Sequence, residues 1–171
     1  MEEIFVNKVA ESGILSLDLE TFYPKEDIAL FDMKDYLFMG LILKEKDFRE
    51  SLKLLDVSIY AKRVVAVTCS ADAVIPMWAY MLVASYLQPV ADQIEFGSVE
   101  EVKNILLLKN IDQLPVSDYL DKRVVIKGCG EIPVGEAAYL RATKLLRLVA
   151  KSIMYGEPCS TVPIFKKSKT V

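Results

Sequence analysis

The residues with the most chemical promise are three cysteines, two of which close a segment written twice. Lys62-Arg63-Val64-Val65-Ala66-Val67-Thr68-Cys69 is echoed by Lys122-Arg123-Val124-Val125-Ile126-Lys127-Gly128-Cys129, with the two cysteines 60 positions apart. In each copy a basic pair enters a β-branched run that carries a thiol to its end. A proline (Pro76 or Pro133) then follows near the start of a helical pattern. A thiol between a strand end and a helix N-terminus is held where free backbone N–H groups favour the thiolate. If the two strands run the same way in one sheet, Cys69 and Cys129 emerge at the carboxyl edge, where ligands bind in open α/β sheets.

Thiolates in that setting suit zinc or an iron–sulfur cluster. The candidate metal ligands are Cys69, Cys129, Cys159 and Asp72, with Glu131 and Glu157 as further oxygen donors. Cys159 lies in Tyr155-Gly156-Glu157-Pro158-Cys159-Ser160, a turn after the last helical pattern. Read as a helix of about 23 residues, that pattern spans roughly 35 Å and carries Cys159 away from the other two thiols. No CxxC spacing is present. Free cysteine is also among the most buried residue types, so Cys69 and Cys129 are equally well read as small core residues.

A second constellation is Ser16-Leu17-Asp18-Leu19-Glu20-Thr21. It resembles the first motif of DEDD-type exonucleases, in which a strand presents Asp and Glu to two metal ions. That reading makes Asp18 and Glu20 the ligands of a metal-dependent nuclease, against the plain alternative of a polar strand end. The chain has no histidine, which excludes the histidine-bearing form of that family, and no late Tyr-x-x-x-Asp replaces it. The same absence removes imidazole bases, Cys₂His₂ zinc sites and Ser-His-Asp or Cys-His nucleophile pairs.

A third candidate is basic. Arg141, Lys144, Arg147 and Lys151 line one side of the last helical pattern, and Lys166, Lys167 and Lys169 follow. A solvated face explains such a stripe. As a functional surface it would dock an acidic protein partner, with residues 166–171 a basic, flexible tail.

Composition limits these readings. The 171 residues are 53% hydrophobic and 26% charged, with a formal net charge of −3, which is a globular profile. Residues 1–60 hold 7 basic and 13 acidic side chains, and residues 121–171 hold 10 and 4. A strongly basic nucleic-acid binder is not indicated. The longest apolar run, Ala73 to Ala84, is too short for a membrane span and contains Pro76. No secretory signal is visible at the N-terminus, so the expectation is a cytoplasmic protein with reduced thiols, as a monomer or homo-oligomer.

The elements that must position these residues are α/β. Strands are predicted at Gly13–Leu19, Tyr36–Leu43, the two repeated runs and Gln93–Phe96. Helices are predicted at Lys44–Leu55, Asp72–Leu87, Ser98 to about Lys109 and Pro133–Tyr155. Ser98-Val99-Glu100-Glu101 has the spacing of a capping box. The repeat extends beyond the strands, to Val57-Ser58 with Val116-Ser117 and to Ala79-Tyr80 with Ala138-Tyr139. The expected architecture is a mixed sheet with two duplicated strand–Cys–helix units and helices packed on it. Residues 1–165 form a single domain, with the repeated strands as parallel neighbours.

Cys69-Ser70-Ala71-Asp72-Ala73-Val74-Ile75-Pro76-Met77-Trp78-Ala79-Tyr80 and Met154-Tyr155-Gly156-Glu157-Pro158-Cys159-Ser160-Thr161-Val162-Pro163 resemble an uncharacterised bacterial family, domain of unknown function 2480. The resemblance runs along nearly the whole chain. It implies no established activity. It does imply proximity to iron–sulfur assembly genes, which favours an accessory protein of iron–sulfur or metal metabolism over a nuclease or a docking module.

Overall fold

The computed structural model describes residues 13–128, 130–157 and 159–168. The protein is α/β, and the chain divides into two compact units. One is continuous, Lys25–Lys103, and the other is split, Met1–Pro24 with Asn104–Val171.

The continuous unit holds strands β2 (Ile28–Asp32), β3 (Val64–Thr68) and β4 (Gln93–Phe96), all parallel in the order β2-β3-β4. Helices α1 (Glu45–Leu54) and α2 (Met77–Leu87) connect them. Val64, Val65, Ala66 and Val67 are all buried, as expected of a central parallel strand with both faces covered. Its core gathers Phe31, Met33, Phe48, Leu52, Val65, Val67, Val83 and Leu87.

The split unit is built on β1 (Ile14–Asp18), β5 (Arg123–Lys127), β6 (Ser152–Glu157) and β7 (Ser160–Lys166), in the order β1-β5-β6-β7. The first three are parallel and β7 turns back antiparallel, which makes this sheet mixed. Helix α3 (Val99–Asp112) carries the chain from the continuous unit into the split one, and α4 (Glu136–Leu146) joins β5 to β6. Leu17, Leu19, Leu107, Ile111, Val124, Ile126, Ala142, Leu146 and Ile153 form the core. The predicted capping box starts α3, with Ser98 N–H donating to Glu101 Oε2 at 2.7 Å and Glu101 N–H donating to Ser98 Oγ at 3.3 Å.

Several expected elements differ. The repeated strands are not neighbours, because β3 and β5 lie in different sheets. Tyr36–Leu43 is not a strand. Its residues fold back through a Phe38–Ile42 bridge around Met39 (φ 53°) and Gly40 (φ 72°), and Phe38, Met39, Leu41 and Ile42 are exposed. Two successive positive φ values make a tight reversal, and glycine supplies the second at little cost. The strand that pairs with β3 is instead Ile28–Asp32. Helix α2 starts only at Met77, after Pro76.

The predicted Pro133–Tyr155 helix stops at Leu146 and gives way to β6. Leu146 O accepts from Ala150 N–H at 2.8 Å, which closes the turn and releases Ser152–Glu157 to pair with β5. Ile153 is buried, but in a strand rather than a helix.

The two units repeat each other at an offset of 59 residues. β3 and β5, α2 and α4, and the starts of β4 and β6 all differ by that number. So do the left-handed residues Lys62 (φ 56°) and Asp121 (φ 53°). The hydrogen bonds Lys62 N–H to Val90 O and Asp121 N–H to Val149 O follow the same offset. In this register Cys69 falls opposite Gly128, and Cys129 counts against Ser70. The expected equivalence of the two cysteines is therefore a one-residue misalignment.

Candidate functional site

In both units the first strand ends in an aspartate that caps a short 3₁₀ turn, and that turn faces the end of the central strand. Asp32 pairs with Thr68 in the parallel register, and Asp18 with Lys127. Each aspartate accepts the N–H two residues on, from Lys34 to Asp32 Oδ1 at 3.0 Å and from Glu20 to Asp18 Oδ1 at 3.1 Å. This satisfies a donor that the start of a helical turn leaves open.

At the edge of the continuous unit Asp32 is the buried charge, only 8% exposed. Ser70 donates to it twice, from N–H to Oδ1 at 3.0 Å and from Oγ to Oδ2 at 2.6 Å. Lys34 Nζ approaches Oδ2 at 3.4 Å. Burial alone would raise the carboxyl pKa. The bonds from the Ser70 hydroxyl, the Ser70 N–H and Lys34 outweigh it and hold Asp32 at about 2. Cys69 is half-buried against the core of this unit, and its thiol lies 3.7 Å from Ala71 O. Burial, and after it the neighbouring Cys69, push the Tyr80 phenol above its ordinary range. Asp72 is exposed on the following loop.

The split unit's edge carries more charge. Lys127 Nζ lies 3.2 Å from Asp18 Oδ2 and 3.9 Å from Glu157 Oε1. The Asp18 contact, then the charges of Asp18, Glu157 and Glu20, raise its pKa. Glu20 accepts the Gly130 N–H in a short bond. The glycines beside Cys129 are close-packed. A Cβ on Gly128 would come 2.9 Å from Tyr139 Oη, and one on Gly130 would come 2.5 Å from Glu20 Oε1.

Because β6 runs parallel to β5, Glu157 and Cys159 return to this same edge. The sequence reading that carried Cys159 away fails with the long helix it rested on. Cys159 is exposed, in the turn between β6 and β7. Glu131 is exposed on the loop before α4.

The site residues named from sequence thus divide between the units. Cys69 and Asp72 belong to the continuous unit's edge, and Asp18, Glu20, Glu131, Glu157 and Cys159 to the split unit. Cys129 lies outside the described residues. Among the described residues no three Cys, Asp or Glu side chains converge closely enough to hold a metal ion.

The basic stripe is spread over several elements. Arg141 grips Asp112 through both carboxylate oxygens at 2.8 and 2.7 Å, and Arg147 lies over the Phe165 ring at 3.7 Å. Lys144 is exposed in the last turn of α4, while Lys151 lies beyond the helix, just before β6.

Sequence reasoning missed Asp32, Ser70, Lys127 and Tyr139. The signal for Asp32 was present, since Ile14-Leu15-Ser16-Leu17-Asp18-Leu19 and Ile28-Ala29-Leu30-Phe31-Asp32-Met33 share one pattern.

Fold and site together define a duplicated α/β protein whose paired sheet edges are each opened by an aspartate-capped turn. A family model described as "Protein of unknown function (DUF2480)" matches residues 2–167, and the chain belongs to that family. No curated protein and no solved structure matches it. No described helix is long and apolar enough to cross a membrane.

Proposed function

We propose that the protein is a cytoplasmic accessory factor of iron–sulfur or metal metabolism, with its thiol site at the carboxyl edge of the split unit. The observation that carries this reading is the parallel return of β6. It brings Glu157 and Cys159 to the edge where Gly128 and Gly130, the neighbours of Cys129, are held by Tyr139 and Glu20. Two thiolates with a carboxylate suit zinc or an iron–sulfur cluster better than magnesium, which prefers oxygen donors alone. The ammonium of Lys127 would balance the negative charge of such a donor set. Asp18 and Glu20 are engaged by Lys127 and by backbone N–H groups, which favours the thiol reading over a two-metal nuclease.

Cys69 does not enter this ligand set. It packs on the continuous unit's core and is offered as a structural residue. The experiment is anaerobic purification followed by iron and zinc analysis and visible absorbance. Stoichiometric metal is expected, and metal-free protein under those conditions would overturn the proposal.

A further inference from the structure

The continuous unit carries an open apolar hollow of about 530 Å³, lined by Val67, Tyr80, Ala84, Glu95 and Phe96 among others. At an offset of 59, the split unit has the same hollow built from Ile126, Tyr139, Thr143, Met154 and Tyr155, but of only about 160 Å³. The sixth residue lining the smaller one is Ile164 of β7. That strand lies antiparallel on β6, and Ile164 falls in the register shift between Ile153 and Met154. The ring pair Tyr139–Tyr155 (5.7 Å) is matched by Tyr80–Phe96 (5.5 Å), so the two walls are alike. What differs is the cover. Among the described residues no strand pairs with β4 on its side away from β3. Phe96 is 68% exposed where Tyr155 is 40%, and Met77 and Met81 on α2 are exposed at 73% and 72%.

We propose that the β4 edge and its hollow form a docking site for an extended segment of a partner protein. The segment adds antiparallel to β4 as β7 adds to β6. Backbone N–H and C=O groups of an edge strand supply the pairing, and the hollow receives an apolar side chain at the position of Ile164.

Charge selects the occupant. Glu95 is the one charged residue among those lining the hollow, and no Lys or Arg lines it. A second copy paired edge to edge would put two Glu95 carboxylates on one four-residue ladder, where like charges oppose pairing. A segment that is apolar at alternate positions and bears basic residues is complementary. The split unit's own cover strand has that character, running through Val162, Ile164 and Phe165 into Lys166 and Lys167.

The test titrates the intact protein into a fluorescent synthetic peptide with the sequence of residues 160–167 and maps the contact by amide chemical shifts. Saturable binding is expected, with shifts concentrated on β4 and α2. Phe96→Asp and Glu95→Lys should each weaken it at least tenfold while leaving the circular dichroism unchanged. Three outcomes would overturn the proposal: no saturable binding, binding by both variants as tight as by the wild type, or a dimer that Phe96→Asp dissociates. The last would make a second copy the occupant.

Discussion

Asp32 shows how one residue's charge is tied to the fold. Its carboxylate is buried, yet four donor contacts from Ser70 and Lys34 keep it ionised, with a pKa of about 2 against an ordinary 3.8. A group whose folded pKa is depressed contributes stability above its unfolded pKa and loses it as the pH falls through the folded value. The ionised form of Asp32 should therefore stabilise the continuous unit by roughly 2 kcal/mol above pH 4, fading between about pH 4 and pH 2. Asp32→Asn should unfold more easily in urea at neutral pH, and the gap to the wild type should close toward pH 2. A gap that stays constant with pH would refute this.

Gly128 shows a steric dependence on the other edge. A methyl group there meets Tyr139 Oη at 2.9 Å and Leu19 Cβ at 3.4 Å. Gly128→Ala should cost about 1–3 kcal/mol in denaturant unfolding. Adding Tyr139→Phe, which removes the nearer atom, should recover part of that loss. If the double variant is no more stable than the single one, the contact with Tyr139 is not the cause.

Much of the element layout is legible in the sequence. β1, β3, β4, β5, α1 and α3 stand where hydrophobic pattern and capping residues place them. The failures have physical causes. Tyr36–Leu43 has strand composition, but Met39 and Gly40 adopt left-handed conformations and reverse it. Pro133–Tyr155 has a helical stripe through Ala138, Ala142, Leu145, Val149 and Ile153, but Ile153 is buried by β6. Buried runs obey both patterns over a few residues, so periodicity alone could not place the break.

The candidate site inherited these errors. Only a correct β6 brings Cys159 back, and only the strand order reveals that the two repeated strands, β3 and β5, belong to different sheets. At this scale Gly156 sits in β6 opposite Thr161, one residue before the last ladder pair of the β6–β7 hairpin. It holds φ 114°, and a Cβ there would come 2.6 Å from Ser160 O. Gly156→Ala should cost about 1–3 kcal/mol and loosen the turn bearing Cys159, read as faster hydrogen exchange in β7. Unchanged exchange in β7 would contradict this.

On the scale of the whole molecule, the chain is a duplication whose copies are interleaved. The Asp-capped strands β1 and β2 come first, in succession, and the two helix–strand–helix–strand blocks follow. β2 pairs with the first block and β1 with the second, so the continuous unit interrupts the split one in sequence. The duplication preserves the framework and lets the edges diverge. One has a buried Asp32 bonded to an exposed Ser70 beside a half-buried thiol, and the other has Lys127 among carboxylates beside an exposed thiol.

The account's central claim is that the second of these edges, and not the first, holds metal through its cysteines. The most direct measurement is the metal content of anaerobically purified Cys159→Ser, Cys129→Ser and Cys69→Ser proteins beside the wild type. The account predicts that the first two lose most of the bound metal and its absorbance while Cys69→Ser keeps both. Loss in Cys69→Ser with retention in the other two would contradict it.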